Sequence, residues 1–205
     1  MRPNRPGEPV RLVRTGIANV EAVAAAFGRL GRPCVVVERP DDILVDAPVV
    51  LPGVGSFESG ARSLAASGCG EAIRQRVGRD LPTLAVCLGL QLLLEGSEEA
   101  PGTAGLGCIP GTASRFPDTV RVPQLGWNDV RPAGEGGLVR SGLAYFANSY
   151  RLVEAPRDWR AATTPFGGDF VAALERGRIL ACQFHPELSG PWGAGLIARW
   201  LEAWC

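Results

Sequence analysis

Through the first half of the chain, short β-branched runs alternate with stretches of helical spacing. Val10–Arg14 and Cys34–Glu38 predict strands, and between them Asn19–Leu30 sets Val20, Val23, Ala24, Phe27 and Leu30 on one helical face. Asn19 has the side chain to cap that helix and Gly31 the freedom to end it. Pro48–Pro52 reads as a buried strand, Phe57–Val77 as a helix, Leu81–Val86 as a strand, and Leu90–Glu95 as the opening of a further helix. The order β-α-β-β-α-β-α predicts an α/β fold whose sheet is doubly wound and largely parallel.

Beyond Glu99 the texture changes. A Gly/Pro-rich stretch, Ala100–Gly111, leads into short segments broken by turn signals at Ala133–Gly137 and Phe166–Asp169. Leu143–Asn148, Tyr150–Glu154, Arg160–Thr164, Phe170–Glu175 and Ile179–Phe184 predict strands with antiparallel pairing. The last segment, Ala194–Trp204, places Leu196, Ile197, Trp200, Leu201 and Trp204 on one helical face. No internal repeat or heptad array interrupts this plan. With 205 residues the chain is expected to form one domain over 1–205, with a loose polar tip at 1–9.

Charge narrows the function classes. The 21 basic and 21 acidic residues cancel, which leaves no global field for nucleic acid or an anionic membrane. All 21 basic residues are arginine, so Schiff-base and lysine-base mechanisms have no residue to use. The single histidine, His185, must serve any step that needs an imidazole. Six cysteines at 34, 69, 87, 108, 182 and 205 form no CxxC pair, which argues against structural zinc and for reduced thiols in a cytoplasmic protein. Cys34, Cys69, Cys108 and Cys182 read as small apolar fillers, and Trp159, Trp192, Trp200 and Trp204 as packing residues. The opening residues lack the apolar core of a signal peptide, and no run of about 18 apolar residues suggests a membrane span.

Three segments carry chemistry. In Leu84-Ala85-Val86-Cys87-Leu88-Gly89-Leu90-Gln91 an apolar strand runs into a cysteine, and a helix starts at once. That is the layout of a nucleophile elbow, in which a tight turn lifts the thiol above the sheet and the helix start offers N–H groups to an oxyanion. In Cys182-Gln183-Phe184-His185-Pro186-Glu187, an extended backbone places residues i and i+2 on one side, so Glu187 can orient His185 as a base. The third, Leu51-Pro52-Gly53-Val54-Gly55-Ser56-Phe57, is a Gly-rich turn between strand and helix that matches neither the dinucleotide fingerprint nor the P-loop. It can aim a backbone N–H at a reacting carbonyl oxygen.

These pieces, in this order, resemble the class I glutamine amidotransferases. Glu95 with Ser97-Glu98-Glu99, Val122-Pro123-Gln124-Leu125-Gly126-Trp127-Asn128 and Tyr145-Phe146-Ala147-Asn148-Ser149-Tyr150 narrow the likeness to the glutaminase subunits of imidazole glycerol phosphate synthase. The resemblance runs from about Val10 to the C-terminus and implies the three-layer fold of that family. It implies Cys87 as nucleophile, His185 as proton shuttle and Glu187 as its orienter, with the oxyanion held by backbone at Gly53, Val54 and Leu88. Gln91, Glu99, Ser149 and Tyr150 match positions that hold glutamine, and Gln124, Leu125, Trp127 and Asn128 match the partner interface. It further implies no cofactor, no metal, and a heterodimer with a (β/α)₈-barrel cyclase that consumes the ammonia. Four positions depart from the family pattern: Ala85 stands for glycine, Gln124 and Asn148 for histidines, and Leu188 for lysine. The acidic-aromatic-glycine start is replaced by Arg14-Thr15-Gly16-Ile17-Ala18-Asn19.

Three other readings remain open on sequence. A glutaminase of pyridoxal phosphate synthase shares His-Pro-Glu-Leu, but uses a Gly-Gly-Glu-Ser turn and lacks the Gly-Trp-Asn segment. A cysteine hydrolase on a related elbow would need a different substrate cleft, and a non-catalytic binding subunit would have no use for an intact triad.

Overall fold

The computed structural model describes residues 8–15 and 19–203. Most of the predicted tip, the turn at 16–18, Trp204 and Cys205 lie outside the described residues. Strands β1 (Val10–Val13), β2 (Cys34–Val37), β3 (Val49–Gly53) and β4 (Thr83–Cys87) pair in parallel in the order β2-β1-β3-β4. β3 and β4 are buried on both faces, which is why they read as continuous apolar runs.

Helices α1 (Val20–Arg29) and α6 (Gly190–Glu202) cover one face of the sheet. The short α2 (Pro40–Ile43) with α3 (Phe57–Ala66), α4 (Cys69–Gly78) and α5 (Leu88–Leu93) cover the other. Alternation along β4 divides its side chains between the two layers, with Leu84 and Val86 in the first core and Ala85 in the second. Asn19 caps α1 as predicted, accepting from the Ala22 amide at 3.0 Å. The single helix expected over Phe57–Val77 is two helices, because the chain turns at Ser67 and enters the left-handed region at Gly68, φ 72°. The terminal helix begins four residues earlier than the spacing predicts, with proline in its first turn.

Most of the second half extends the same sheet. β12 (Ile179–Cys182) pairs in parallel with β4 and antiparallel with β11 (Asp169–Arg176). The sheet then continues antiparallel through β10 (Arg160–Pro165), β7 (Gln124–Pro132) and β8 (Gly142–Asn148) to nine strands. A separate three-stranded sheet joins β5 (Gly96–Ser97), β6 (Thr112–Arg115) and β9 (Tyr150–Arg151). β7 escapes a reading by alternation because it buries Gln124 and Val130 while exposing Leu125 and Trp127.

Arg76 on α4 fixes the entry side of the two strands that lead to the elbow. Its fully buried guanidinium donates to the carbonyls of Ile43, Val45, Ala47 and Pro82 and to the Thr83 hydroxyl. Burial pulls its pKa down to about 9, so the group is still charged at neutral pH. Five donors meeting five acceptors, with the Asp46 carboxylate nearby, make the buried guanidinium tolerable.

Candidate active site

β4 delivers Cys87 to the carboxyl edge of the sheet, and the chain turns there without a linker, since α5 begins at Leu88. The turn requires φ 53° at Cys87, a backbone conformation that costs a non-glycine residue about 1–3 kcal/mol and recurs at nucleophile elbows. Two glycines make room for it. A Cβ on Gly89 would stand 2.1 Å from the Leu51 carbonyl oxygen, and one on Gly53 would stand 2.9 Å from Leu88 Cβ. Gly53 lies opposite Cys87 in the β3–β4 register, so the Gly-rich turn and the elbow meet at one edge. The Leu88 amide, at the start of α5, has no intrahelical acceptor.

β12 brings the histidine to the same edge. Cys182 is in register with Val86, and three residues later His185 stands beside Cys87. His185 Nδ1 lies 2.8 Å from Glu187 Oε1, and the imidazole faces the same cavity as Cys87. The contact forms differently from the extended arrangement expected. Pro186–Leu188 is a 3₁₀ turn with Pro186 at its start, so a tight turn rather than a strand folds Glu187 back onto the ring.

His185 itself is pinned through its backbone. Its amide donates to the Tyr145 carbonyl at 2.9 Å, its carbonyl accepts from Ser189 Oγ at 2.6 Å, and that same oxygen accepts from the Tyr145 amide at 3.0 Å. Burial alone would lower the imidazole pKa, but the hydrogen bonds and charges of Cys87 and Glu187 outweigh it and hold it up at about 10. Glu187 keeps its second oxygen, Oε2, buried and without a partner among the described residues.

A cavity of about 230 Å³ opens over the thiol, small beside the pockets of drug-sized ligands and suited to an amino acid. Cys87, Leu88, Gln91 and His185 line it together with Val54, Gly55, Glu99 and the run from Ala147 to Tyr150. Every residue that the resemblance assigns to glutamine is therefore on the wall. Glu99 is anchored by one oxygen, Oε2, which accepts from the Phe57 amide at 2.9 Å where α3 begins. The Tyr150 carbonyl accepts from both Gln91 Nε2 and Asn148 Nδ2, each at 3.0 Å.

Gln183 belongs to this site although no motif marks it. It is fully buried, accepts from Gln91 Nε2 at 3.0 Å and donates its own Nε2 to Cys87 Sγ at 3.7 Å. Ser189 was missed as well; a serine four residues after the histidine was its only signal. Among the described residues no group of three or more His, Cys, Asp or Glu could hold a metal ion, and no helix is long and apolar enough to cross a membrane.

Residues 12–203 match the family model for class-I glutamine amidotransferases. The chain is 37% identical over 199 residues to the imidazole glycerol phosphate synthase subunit HisH of Moorella thermoacetica, covering 95% of this chain and 94% of that protein. It is 39% identical to the HisH subunit of Dehalococcoides mccartyi strain CBDB1, over 94% of this chain and 96% of that one. The chain belongs to the HisH branch of the class I glutamine amidotransferases. A chloroplastic relative from Arabidopsis thaliana, imidazole glycerol phosphate synthase hisHF, is 37% identical across 94% of this chain, which spans 34% of its length. The fold agrees with solved structures at low identity. A glutamine amidotransferase crystal structure superposes with a TM-score of 0.75 at 19% identity, covering 94% of this chain and 97% of that one. PurLQS from Thermotoga maritima gives 0.75 at 16%, covering 96% and 99%.

Within this HisH-type chain the departures fall into two groups. Ala85 sits in β4 between Leu51 and Ala181, its methyl buried in the second core. Gln124 and Asn148 are direct cross-strand partners on β7 and β8, so the two amides in place of histidines form one neighbouring pair. Gln124 is only 3% exposed, so it stands behind the surface rather than on it, contrary to an interface role. Asn128 also turns inward, donating to the Pro165 carbonyl at 2.7 Å and accepting from the Asp129 amide. Leu125 and Trp127 are the outward residues of the strand, at 69% and 56% exposure.

Proposed function

We propose that this chain, as the glutaminase subunit of imidazole glycerol phosphate synthase, hydrolyses glutamine through Cys87, His185 and Glu187 and passes the ammonia to a (β/α)₈-barrel cyclase. The observation that carries the chemistry is one imidazole, hydrogen-bonded to Glu187 through Nδ1 and facing Cys87 across a cavity walled by Gln91 and Glu99. Cys87 gives its proton to His185, and Sγ attacks the side-chain carbonyl carbon of glutamine. The oxyanion is met by the Leu88 amide and by backbone of the Gly53-Val54 turn. The imidazolium then protonates the leaving nitrogen, ammonia departs, and a γ-glutamyl thioester stays on Cys87. Water, deprotonated by the now neutral His185, attacks that thioester; glutamate leaves and the thiol is restored. Glu99 suits the substrate's α-ammonium, because its one anchored oxygen leaves the other for a cationic partner.

The surface beside the cavity supports an ammonia-accepting partner. Leu125, Trp127, Leu143 and Tyr145 lie on one face of the β7–β8 pair, with Leu125 opposite Ala147 and Trp127 opposite Tyr145. Trp127 packs edge-on against Tyr145, and Ala147 lines the cavity. Leu143 and Leu188 are 53% and 46% exposed. An apolar patch of this kind that borders a catalytic cavity fits a docking face. The reading implies a heterodimer in the cytoplasm, where Cys87 stays reduced. The direct test is glutamate release by the chain mixed with a barrel cyclase, with and without the cyclase's nucleotide substrate. Stimulation by the liganded cyclase supports the proposal; equal turnover in both mixtures, with folded proteins, rejects the coupling.

A further inference from the structure

We infer that Gln183 is a catalytic hydrogen-bond donor to the Cys87 thiolate, aimed by a two-amide relay that starts at the Tyr150 carbonyl and runs through Gln91. The inference deepens the glutaminase reading and rests on Cys87 being its nucleophile.

The direction of every link is forced. A backbone carbonyl only accepts, so the Gln91 atom that faces Tyr150 at 3.0 Å must be Nε2. The second hydrogen on that nitrogen is directed at Gln183, 3.0 Å away, which obliges Gln183 to present Oε1 there. Its Nε2 is left facing Sγ at 3.7 Å, an N–H···S contact within normal reach of sulfur. An amide placed at random could turn either way; this one cannot turn without setting two donors against each other. Burial adds to the constraint, because Gln183 is fully buried and its backbone amide donates to Ala172 at 2.8 Å.

The two forms of the sulfur have different partners. The thiol has an acceptor in the Ala147 carbonyl, 3.9 Å away, which offers nothing to a thiolate. The thiolate needs donors, and the site holds two: the His185 imidazolium and the Gln183 amide. A hydrogen bond to the charged form favours that form, so Gln183 stabilises the nucleophile before substrate arrives. Gln91 lines the cavity and Gln183 does not, so Gln91 is the positioning residue through which the pocket wall is joined to the sulfur. The charged and titratable groups facing this centre are His185 with Glu187 from the turn after β12, Glu99 from the loop after β5 and Tyr150 on β9.

The test is the pH dependence of Cys87 alkylation by iodoacetamide, followed on the Cys87 peptide by mass spectrometry, in wild type, Gln183→Leu and Gln183→Glu. The expected result for Gln183→Leu is a midpoint raised by about one unit and a rate about tenfold lower at neutral pH. The high-pH plateau is equal or greater, since a less stabilised thiolate is the better nucleophile. Gln183→Glu moves the midpoint further in the same direction. Glutamine turnover in Gln183→Leu loses kcat with little change in KM. An unmoved midpoint, or a rate lowered equally at all pH values, overturns the inference, the latter being the mark of a packing role alone.

A second measurement needs no change at Gln183. The chain has four glutamines, so side-chain ¹⁵N-glutamine labelling gives four amide pairs to follow by NMR. One pair is expected to shift with the midpoint found for Cys87 alkylation and to lose that shift in Cys87→Ala; four pairs indifferent to the titration overturn the relay. Both readouts are independent of glutamine hydrolysis, so an inactive enzyme with an intact relay and an active enzyme without one give different results.

Discussion

The elbow at Cys87 and the turn at His185 meet at one sheet edge but are held by different means. The elbow is fixed by backbone exclusion, with no atom to spare between Gly89 and the Leu51 carbonyl or between Gly53 and Leu88. The histidine turn is fixed by hydrogen bonds, with Ser189 and Tyr145 tying its main chain and Glu187 its ring. A steric lock fails all at once when an atom is added, whereas a hydrogen-bonded one loosens in steps. The nucleophile is therefore expected to be intolerant of change around it, and the proton shuttle to be tunable.

Gly89→Ala should break the comparison most severely. The added methyl must displace the Leu51 carbonyl or unwind the start of α5, at a cost of about 3 kcal/mol or more. Thermal denaturation should show a large loss of stability, with no alkylation of Cys87 above that of an exposed thiol. A melting temperature within a degree or two of wild type would show that the elbow is not sterically locked.

Glu187→Gln tests the other side with a smaller effect on stability and a distinct one on pH. His185 has its pKa raised from the ordinary value near 6.5 to about 10, with Glu187 among the groups that raise it. Its contribution to stability is thus complete below about pH 6.5 and is lost as pH rises through about 10. The imidazolium that protonates departing ammonia disappears over the same window. In Glu187→Gln the alkaline limb of glutaminase activity should move to lower pH, and the alkaline loss of stability with it. An alkaline limb that stays in place would remove Glu187 from control of the ring.

Ser189→Ala is the graded case. It deletes the hydroxyl that bridges the His185 carbonyl and the Tyr145 amide; the carbonyl keeps the Leu188 amide, and the Tyr145 amide loses its partner, for about 1–3 kcal/mol. Turnover should fall through kcat while KM for glutamine holds, because Ser189 does not line the cavity. The smallest effect on the isolated chain is expected for Trp127→Ser. That ring is largely exposed, so stability and basal turnover should hardly change while binding to the barrel partner weakens, measurable by calorimetry.

Why some of this was legible in the sequence and some was not follows from the range of the interactions. The elbow shows locally, because a strand that runs into Cys87-Leu88-Gly89 with no linker leaves the backbone few alternatives. The identity of the His185–Glu187 pair shows too, but its geometry does not. Spacing of two fits an extended strand, and it is Pro186 starting a 3₁₀ turn that brings the carboxylate round. Gln183 is invisible to local reading because its role depends on which strand lies beside β12, and the β12–β4 register alone brings it to the sulfur. On β7 the phase of burial runs against hydrophobicity: a glutamine goes inside and a tryptophan outside. That inversion conceals the strand, and it is also what leaves Leu125 and Trp127 exposed.

Two assignments decide the reading: Cys87 as the nucleophile, and glutamine as the occupant of the cavity above it. A chloroketone analogue of glutamine, which alkylates a thiol only when seated as substrate, tests both at once with mass spectrometry resolving all six cysteines. The expected result is a single adduct on Cys87, slowed by added glutamine and accompanied by proportional loss of turnover. Labelling of another cysteine in step with inactivation, or turnover that survives complete modification of Cys87, would contradict it.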